Sequence, residues 1–269
     1  MLAETPVVSS MINEVLDPVE AKRLALWDRF KVKLTRRIAH GSAGQLVDFG
    51  SGSGRFLYQT NSMFDSAVGV EVVEECVSFA REALGLSIVR DISEVEGKIA
   101  CLTMWHSMEH ISSEMMAQVL EHVRQHGTED LSVIVSVPNA GSILYRVLGA
   151  RFAYYDIPSH CQQFSSTSLD LLMRRHGLEV ERSYRSLAYS LFGVIQSTLN
   201  VFATGHNRLY MRLKRGANYD QSFVAERTWE VGQAILTTLF LPLTSLVVIA
   251  ELLFPRRAGV ITRCYRKCG

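Results

Sequence analysis

The residues whose types and spacing could do chemistry fall in four places. Asp48 stands two positions before the run Gly50-Ser51-Gly52-Ser53-Gly54. Glu71 closes a short apolar stretch, Ala67 to Val70. His106, Glu109 and His110 follow another, Ile99 to Trp105. His160 lies in an aromatic-rich segment with Tyr154 and Tyr155. Glycines at alternate positions let the backbone bend sharply and come close to a ligand where a Cβ would clash. A helix starting there aims free N–H groups at the same spot. The acid at Asp48 suits a cationic amine better than a pyrophosphate. A carboxylate at Glu71 can accept both hydroxyls of a ribose. Histidine is the side chain best suited to take a proton near neutral pH.

These groups need elements to hold them. Asp17-Pro18-Val19-Glu20 is a helix start, with Asp as N-cap and Pro at the first helical position. Trp27, Phe30, Leu34 and Ile38 share one face of a helix ending near Gly41. Leu46 to Phe49 reads as a first strand and Ala67 to Glu71 as a second. A helix over Glu74 to Leu84, stopped by Gly85, leads to a third strand, Ser87 to Arg90. Ile99 to Trp105 is a fourth strand. Ser112 or Ser113 caps a helix running to about His126. Leu131 to Val137 is a fifth strand and Leu178 to Ser183 a sixth, after an irregular loop (151 to 164) and a helix from Thr167 to His176. Gly259 to Arg266 is the seventh. The alternation of strands and helices predicts an α/β fold with a mostly parallel sheet.

Composition bounds the function. The 269 residues carry a net charge of +1, which gives no basis for nucleic-acid binding. The five cysteines form no C-x-x-C pair, and the N-terminus has no basic n-region. A reduced, cytoplasmic setting is expected.

The run Leu46 to Leu57 resembles motif I of class I S-adenosylmethionine-dependent methyltransferases. The spacing G-x-G-x-G, with Arg55 where a third dinucleotide glycine belongs, disfavours an NAD-type oxidoreductase. The resemblance, which extends from about residue 20 to 186 and to the last strand, implies a doubly wound, seven-stranded, mostly parallel sheet of Rossmann-like type with an antiparallel last strand, and S-adenosyl-L-methionine as cofactor. It places Asp48, Gly50, Ser51, Gly52 and Gly54 on the methionine part and Glu71 on the ribose. Asp91 and Ile92 would lie at the adenine, with Trp105 and His106 flanking the cofactor. The segments Ala100 to Ile111 and Pro158 to Phe164 resemble the ubiquinone-biosynthesis subgroup. This implies a substrate side built on His160, Tyr154 and Tyr155, with His160 or His106 as base. A plainer reading is also open for each: a solvated acid at Glu71, a loop Asp at Asp91, and a loop-fixing His at His160.

His106-x-x-Glu109-His110 also matches the H-x-x-E-H pattern of inverted zinc peptidases, but that motif belongs on a long helix and here it caps a strand. Some quinone O-methyltransferases hold a divalent ion with E-x-x-E-H. His106 takes the place of the first Glu, and magnesium prefers oxygen ligands. No metal is expected, with Glu109 and His110 as the only candidates. A buried pair orienting the loop explains them equally well.

The expected domains are a cofactor-binding unit, 1–188 plus 257–269, and a hydrophobic helical insertion, 189–256. Residues 231 to 250 carry no charge, which meets the length of a membrane span. A single crossing would separate the last strand from its sheet. Leu187 to Phe202 is the one partner segment, and Arg208, Arg212, Lys214 and Arg215 lie between. The reading favoured is an insertion docked at the inner face of the membrane; a dimer contact, a substrate lid or a transmembrane hairpin are alternatives. The expected activity is O-methylation of a small lipid-like, membrane-associated or glycan-linked acceptor. The alternative is a non-catalytic module that binds a membrane or a partner.

Overall fold

In the computed structural model, residues 17–23, 26–38, 43–156, 159–202, 207–209, 232, 242 and 244–267 are described. The seven strands are β1 (Gln45–Phe49), β2 (Ser66–Val70), β3 (Ser87–Val89), β4 (Ile99–Trp105), β5 (Gly127–Pro138), β6 (Leu178–Tyr184) and β7 (Val260–Lys267). They form one sheet in the order β3-β2-β1-β4-β5-β7-β6. Strands β1 to β5 pair in parallel, and β7 runs against both β5 and β6. This is the predicted doubly wound sheet.

Buried on both faces, the central strands alternate their side chains between two cores. Val47, Phe49, Leu102, Met104 and Val135 point to one core. There they meet α5 (Ser113–His126) and α7 (Ser166–Arg175) through Val119, Leu120, Leu169 and Met173. Leu46, Cys101, Trp105 and Ile134 point to the other. Its covering helices are α1 (Pro18–Lys22), α2 (Leu26–Ile38), α3 (Arg55–Thr60) and α4 (Glu74–Leu84). Period-two alternation along parallel strands sorts the apolar groups in this way.

Two expectations are corrected. The single N-terminal helix is two: Asp17 does cap α1, its Oδ1 accepting from Val19 N at 2.8 Å, but the chain breaks at Arg23 before α2. The segment after β5 holds a further helix, α6 (Ile143–Leu148), started by Ser142, whose Oγ accepts from Tyr145 N. In α2, Leu34 and Ile38 are buried as their spacing predicts; the side chain of Trp27 lies outside the described residues.

The region between β6 and β7 begins with α8 (Leu187–Phe202), which packs on α6. Residues 244–253 form the helical return. Leu144, Phe152, Val194 and Val248 make a third, small core between these pieces. Most of the stretch between them, with Arg212, Lys214, Arg215 and much of the uncharged run 231 to 250, lies outside the described residues. Among the described residues, no helix is long and apolar enough to cross a membrane.

Candidate active site

The glycine turn sits at the carboxyl end of β1. Gly50, Gly52 and Gly54 have φ values of 75°, 54° and 79°, a region that L side chains rarely adopt. Gly50 also has no room: a Cβ there would meet the Ser107 Cβ at 2.4 Å. Ser107 in turn donates from Oγ to the Phe49 carbonyl at 2.7 Å, tying the ends of β1 and β4 together. Gly50 N and Ser51 N both donate to Val70 O, which pins the turn to β2.

Two acids flank this turn. The β1–β4 register sets Asp48 beside Thr103, and the Thr103 hydroxyl donates to Asp48 Oδ1 at 2.6 Å. Burial pushes the Asp48 carboxyl up to about 6, against the lowering effect of that hydrogen bond and of Lys31. A cationic amine placed beside this carboxyl would lower it again. Glu71 is buried just past β2. Its Oε1 accepts from Val72 N and Val73 N, both at 2.9 Å, and its Oε2 from Gly52 N at 2.7 Å. A carboxylate has about four lone-pair directions. One is therefore left for a ribose hydroxyl; a second hydroxyl needs the Gly52 N–H to let go.

Asp91 caps the short turn Ile92–Glu94. Its Oδ1 accepts from Ser93 N and Oγ, and these bonds hold its carboxyl below the usual range. Its side chain is thus engaged locally. Ile92 is buried in the core.

The end of β4 carries the centre of the site. The Trp105 ring meets Phe30 of α2 and Phe56 of α3 edge-on, and Lys31 Nζ lies 5.8 Å from its centroid. His106 follows with φ of 56°, strained for a non-glycine residue and typical of groups placed by function. Its Nδ1 lies 3.4 Å from Glu109 Oε1. Its ring stacks on Tyr154 at 6.2 Å and meets Tyr189 edge-on at 5.3 Å. The Tyr154 hydroxyl donates to the Tyr189 carbonyl, and Gly193 of α8 lets that ring approach: a Cβ there would lie 2.7 Å from Tyr154 Cε2.

Beyond His106 opens a cleft lined by Tyr145, Phe152, Tyr154, Tyr155, His160 and Gln163. His160 lies beside His110, their ring centroids 4.7 Å apart. Burial lowers the His160 pKa, with Glu109 acting the other way. The structure therefore brings the glycine turn, Asp48, Glu71, Trp105 and His106 to one end of the sheet. It brings Tyr154, Tyr155 and His160 to the adjoining cleft, with His110 against His160 and Glu109 against His106. Sequence reasoning missed Thr103, Ser107 and Tyr189. Thr103 sits in an otherwise apolar strand, a small cue; Tyr189 carries none, since only the fold of α8 brings it to His106.

The turn and its surroundings fit an amino-acid-bearing nucleoside. Ser51 Oγ, Trp105 Nε1 and Tyr189 OH are buried without a hydrogen-bond partner among the described residues. Buried polar groups normally find a partner in protein, ordered water or a ligand.

The sequence matches the family model for the methyltransferase domain over residues 21–183, more than half of the chain. No curated protein matches. Among solved structures, the chain is similar to an S-adenosylmethionine-dependent methyltransferase from Clostridium acetobutylicum. Identity is 11%, with 90% of this chain and 91% of that chain covered and a TM-score of 0.51. A SAM-dependent methyltransferase from Archaeoglobus fulgidus is 14% identical over 89% of this chain and 94% of that one, with a TM-score of 0.49. The chain belongs to the methyltransferase-domain family and is an S-adenosyl-L-methionine-dependent methyltransferase.

Proposed function

We propose that the protein methylates a hydroxyl oxygen of a small, largely apolar acceptor bound in the aromatic cleft. The observation that carries this reading is the position of His106, a strained histidine between the glycine turn and the cleft, backed by the buried Glu109 carboxylate. When bound, S-adenosyl-L-methionine supplies an electrophilic methyl group, which an acceptor oxygen takes as the sulfur keeps the bonding pair. The chain's own residues do the rest. Glu71 holds the nucleoside, and Asp48 balances the amine. With Nδ1 facing Glu109, His106 offers Nε2 to the acceptor hydroxyl and removes its proton. Tyr145, Tyr154 and Tyr155 align the acceptor by stacking, and alignment is most of what a displacement of this kind requires.

Support for an apolar acceptor comes from the surface beside the cleft. Leu187, Leu191 and Phe202 of α8, and Leu246, Ile249, Leu253 and Phe254 at the helical return, are exposed. Exposed apolar side chains on these helices suit docking to a lipid surface that presents the acceptor. The test follows labelled methyl from S-adenosyl-L-methionine into hydroxylated lipids held in anionic vesicles, against soluble sugars. Label in the lipid fraction, lost in His106→Asn, is the expected result. Label confined to the soluble fraction overturns the apolar acceptor.

A further inference from the structure

We propose that the outer face of α2, formed by Arg29, Lys33, Arg36 and Arg37, is a docking surface for an anionic lipid bilayer. The choice of a lipid partner rests on the reading of the acceptor given above; the basic face does not.

The four residues stand at i, i+4, i+7 and i+8, a spacing that puts them on one side of a helix. All four are exposed, while Leu34, Thr35 and Ile38 on the other side are buried. Among the described residues, no acid pairs with any of the four. Asp28, the one acid in α2, is engaged elsewhere: its carboxylate lies 3.6 Å from Lys31 Nζ and 3.9 Å from Arg55 Nε.

The needs of the helix itself do not account for this face. Arg36 and Arg37 lie in the last turn, where positive charge suits the carboxyl end of the helix dipole. Arg29 and Lys33 lie before it. Like charges four residues apart, as in Arg29 with Lys33 and Lys33 with Arg37, repel each other. The whole chain carries a net charge of only +1, so the outer side of α2 is a local concentration of positive charge. An anionic partner laid against it turns that repulsion into attraction.

The neighbouring element selects a bilayer over other polyanions. The Phe30 ring meets the ring of Tyr189 edge-on at 5.9 Å, which places α2 beside the first turn of α8. Leu187 and Leu191 of that helix are 53% and 41% exposed. Tyr184, just before α8, packs into the core that α2 covers. Basic groups beside exposed leucines suit a surface with anionic headgroups over an apolar interior. A nucleic acid offers the charge but no apolar layer for the leucines. On its inner side α2 meets Trp105 through Phe30, so the docking face stands one helix width, about 10 Å, from the site. Docking there brings an acceptor held in the bilayer close to His106, which Tyr189 also touches.

The test measures pelleting of the full-length protein with vesicles of phosphatidylcholine alone and of phosphatidylcholine mixed with phosphatidylglycerol. Binding to the anionic vesicles is expected, weakened by added salt. It should fall by roughly tenfold to a hundredfold in Arg29→Gln/Lys33→Gln/Arg36→Gln/Arg37→Gln. Arg174→Gln/Arg175→Gln, which removes two exposed charges at the end of α7, should bind as the unaltered protein does. Calorimetric titration with S-adenosylhomocysteine shows that each variant is folded. Should the fourfold variant misfold, Arg29→Gln/Lys33→Gln and Arg36→Gln/Arg37→Gln, taken separately, carry the test. Unchanged vesicle binding in the α2 variants, an equal loss in the α7 variant, or no binding to anionic vesicles overturns the proposal. So does tighter binding of a DNA or RNA oligonucleotide that is lost in the same α2 variants. Leu187→Ser/Leu191→Ser separates the two readings: binding lost there but kept in the α2 variants removes the basic face and leaves docking through the apolar helices standing. Binding through α2 with labelled methyl confined to soluble acceptors does the reverse, keeping the docking face and removing the lipid acceptor.

Discussion

His106 Nδ1 stands 3.4 Å from Glu109 Oε1, and the histidine reaches that position only by adopting a φ of 56°. Asparagine tolerates the left-handed region better than alanine does. His106→Asn is therefore expected to be about 1 kcal/mol more stable than His106→Ala, measured by denaturant unfolding. Both should lose methyl transfer by roughly 10²- to 10⁴-fold, the usual contribution of a positioned base. Equal stabilities would mean that the strain is not stored at this residue.

Asp48 gives a pH dependence with a definite sign. Its folded carboxyl, at about 6, lies above the ordinary 3.8, so the folded state favours the protonated form. The penalty is absent below 3.8, grows between 3.8 and about 6, and is complete above that. A gap of this size corresponds to about 3 kcal/mol. Asp48→Asn should thus stabilise the ligand-free protein near pH 7 by about 1–3 kcal/mol, with the gain vanishing below pH 4. Its binding of S-adenosyl-L-methionine should weaken at least tenfold. Thermal unfolding across pH, with and without ligand, checks both halves.

How much of this was readable beforehand differs between elements and contacts. The helix Glu74–Leu84, its stop at Gly85 with φ of 66°, and the strand Ile99–Trp105 follow from local rules: an apolar run, a periodic face, a glycine that turns left-handed. The glycine turn was equally plain. The bond from Thr103 to Asp48 was not, because it depends on cross-strand register, which slips at a bulge between Gln45 and Leu46. Tyr189 reaches His106 only because α8 folds back over the sheet, and the interval before it does not encode that return.

Gly50→Ala should be costly for two independent reasons. Its φ of 75° disfavours a side chain, and the new Cβ would sit 2.4 Å from that of Ser107. A loss of roughly 2–4 kcal/mol is expected, together with loss of nucleoside binding. Adding Ser107→Gly should return part of the stability by removing the clash. No recovery in the double variant would show that backbone conformation alone sets the cost.

Glu71→Gln tests the division of labour at the carboxylate. Three backbone N–H groups now share its two oxygens. An amide has one carbonyl oxygen, so at least one of those donors loses its acceptor. S-adenosylhomocysteine binding should fall by roughly tenfold to a hundredfold, as expected for losing about 1.5–3 kcal/mol at a charged hydrogen bond. Calorimetry reads this directly.

Tyr154→Phe removes the hydroxyl that ties the cleft to α8 through the Tyr189 carbonyl. A loss of about 1 kcal/mol is expected. KM for the acceptor should rise while cofactor affinity is unchanged. A matching loss of cofactor affinity would place Tyr154 on the other side of His106.

The place of β7 has a consequence for how the chain is made. It is the last strand in sequence, yet it lies inside the sheet, between β5 and β6. Until it is synthesised, β5 presents an open edge, Ser132 to Pro138, and β6 has no neighbour. The whole interval between β6 and β7 must therefore leave the ribosome before the sheet can close. During translation the protein carries an unpaired edge beside exposed apolar helices, the combination most prone to association with other chains. The closing strand works as a final latch, and a ribosome paused within the interval would hold the enzyme open at its seam.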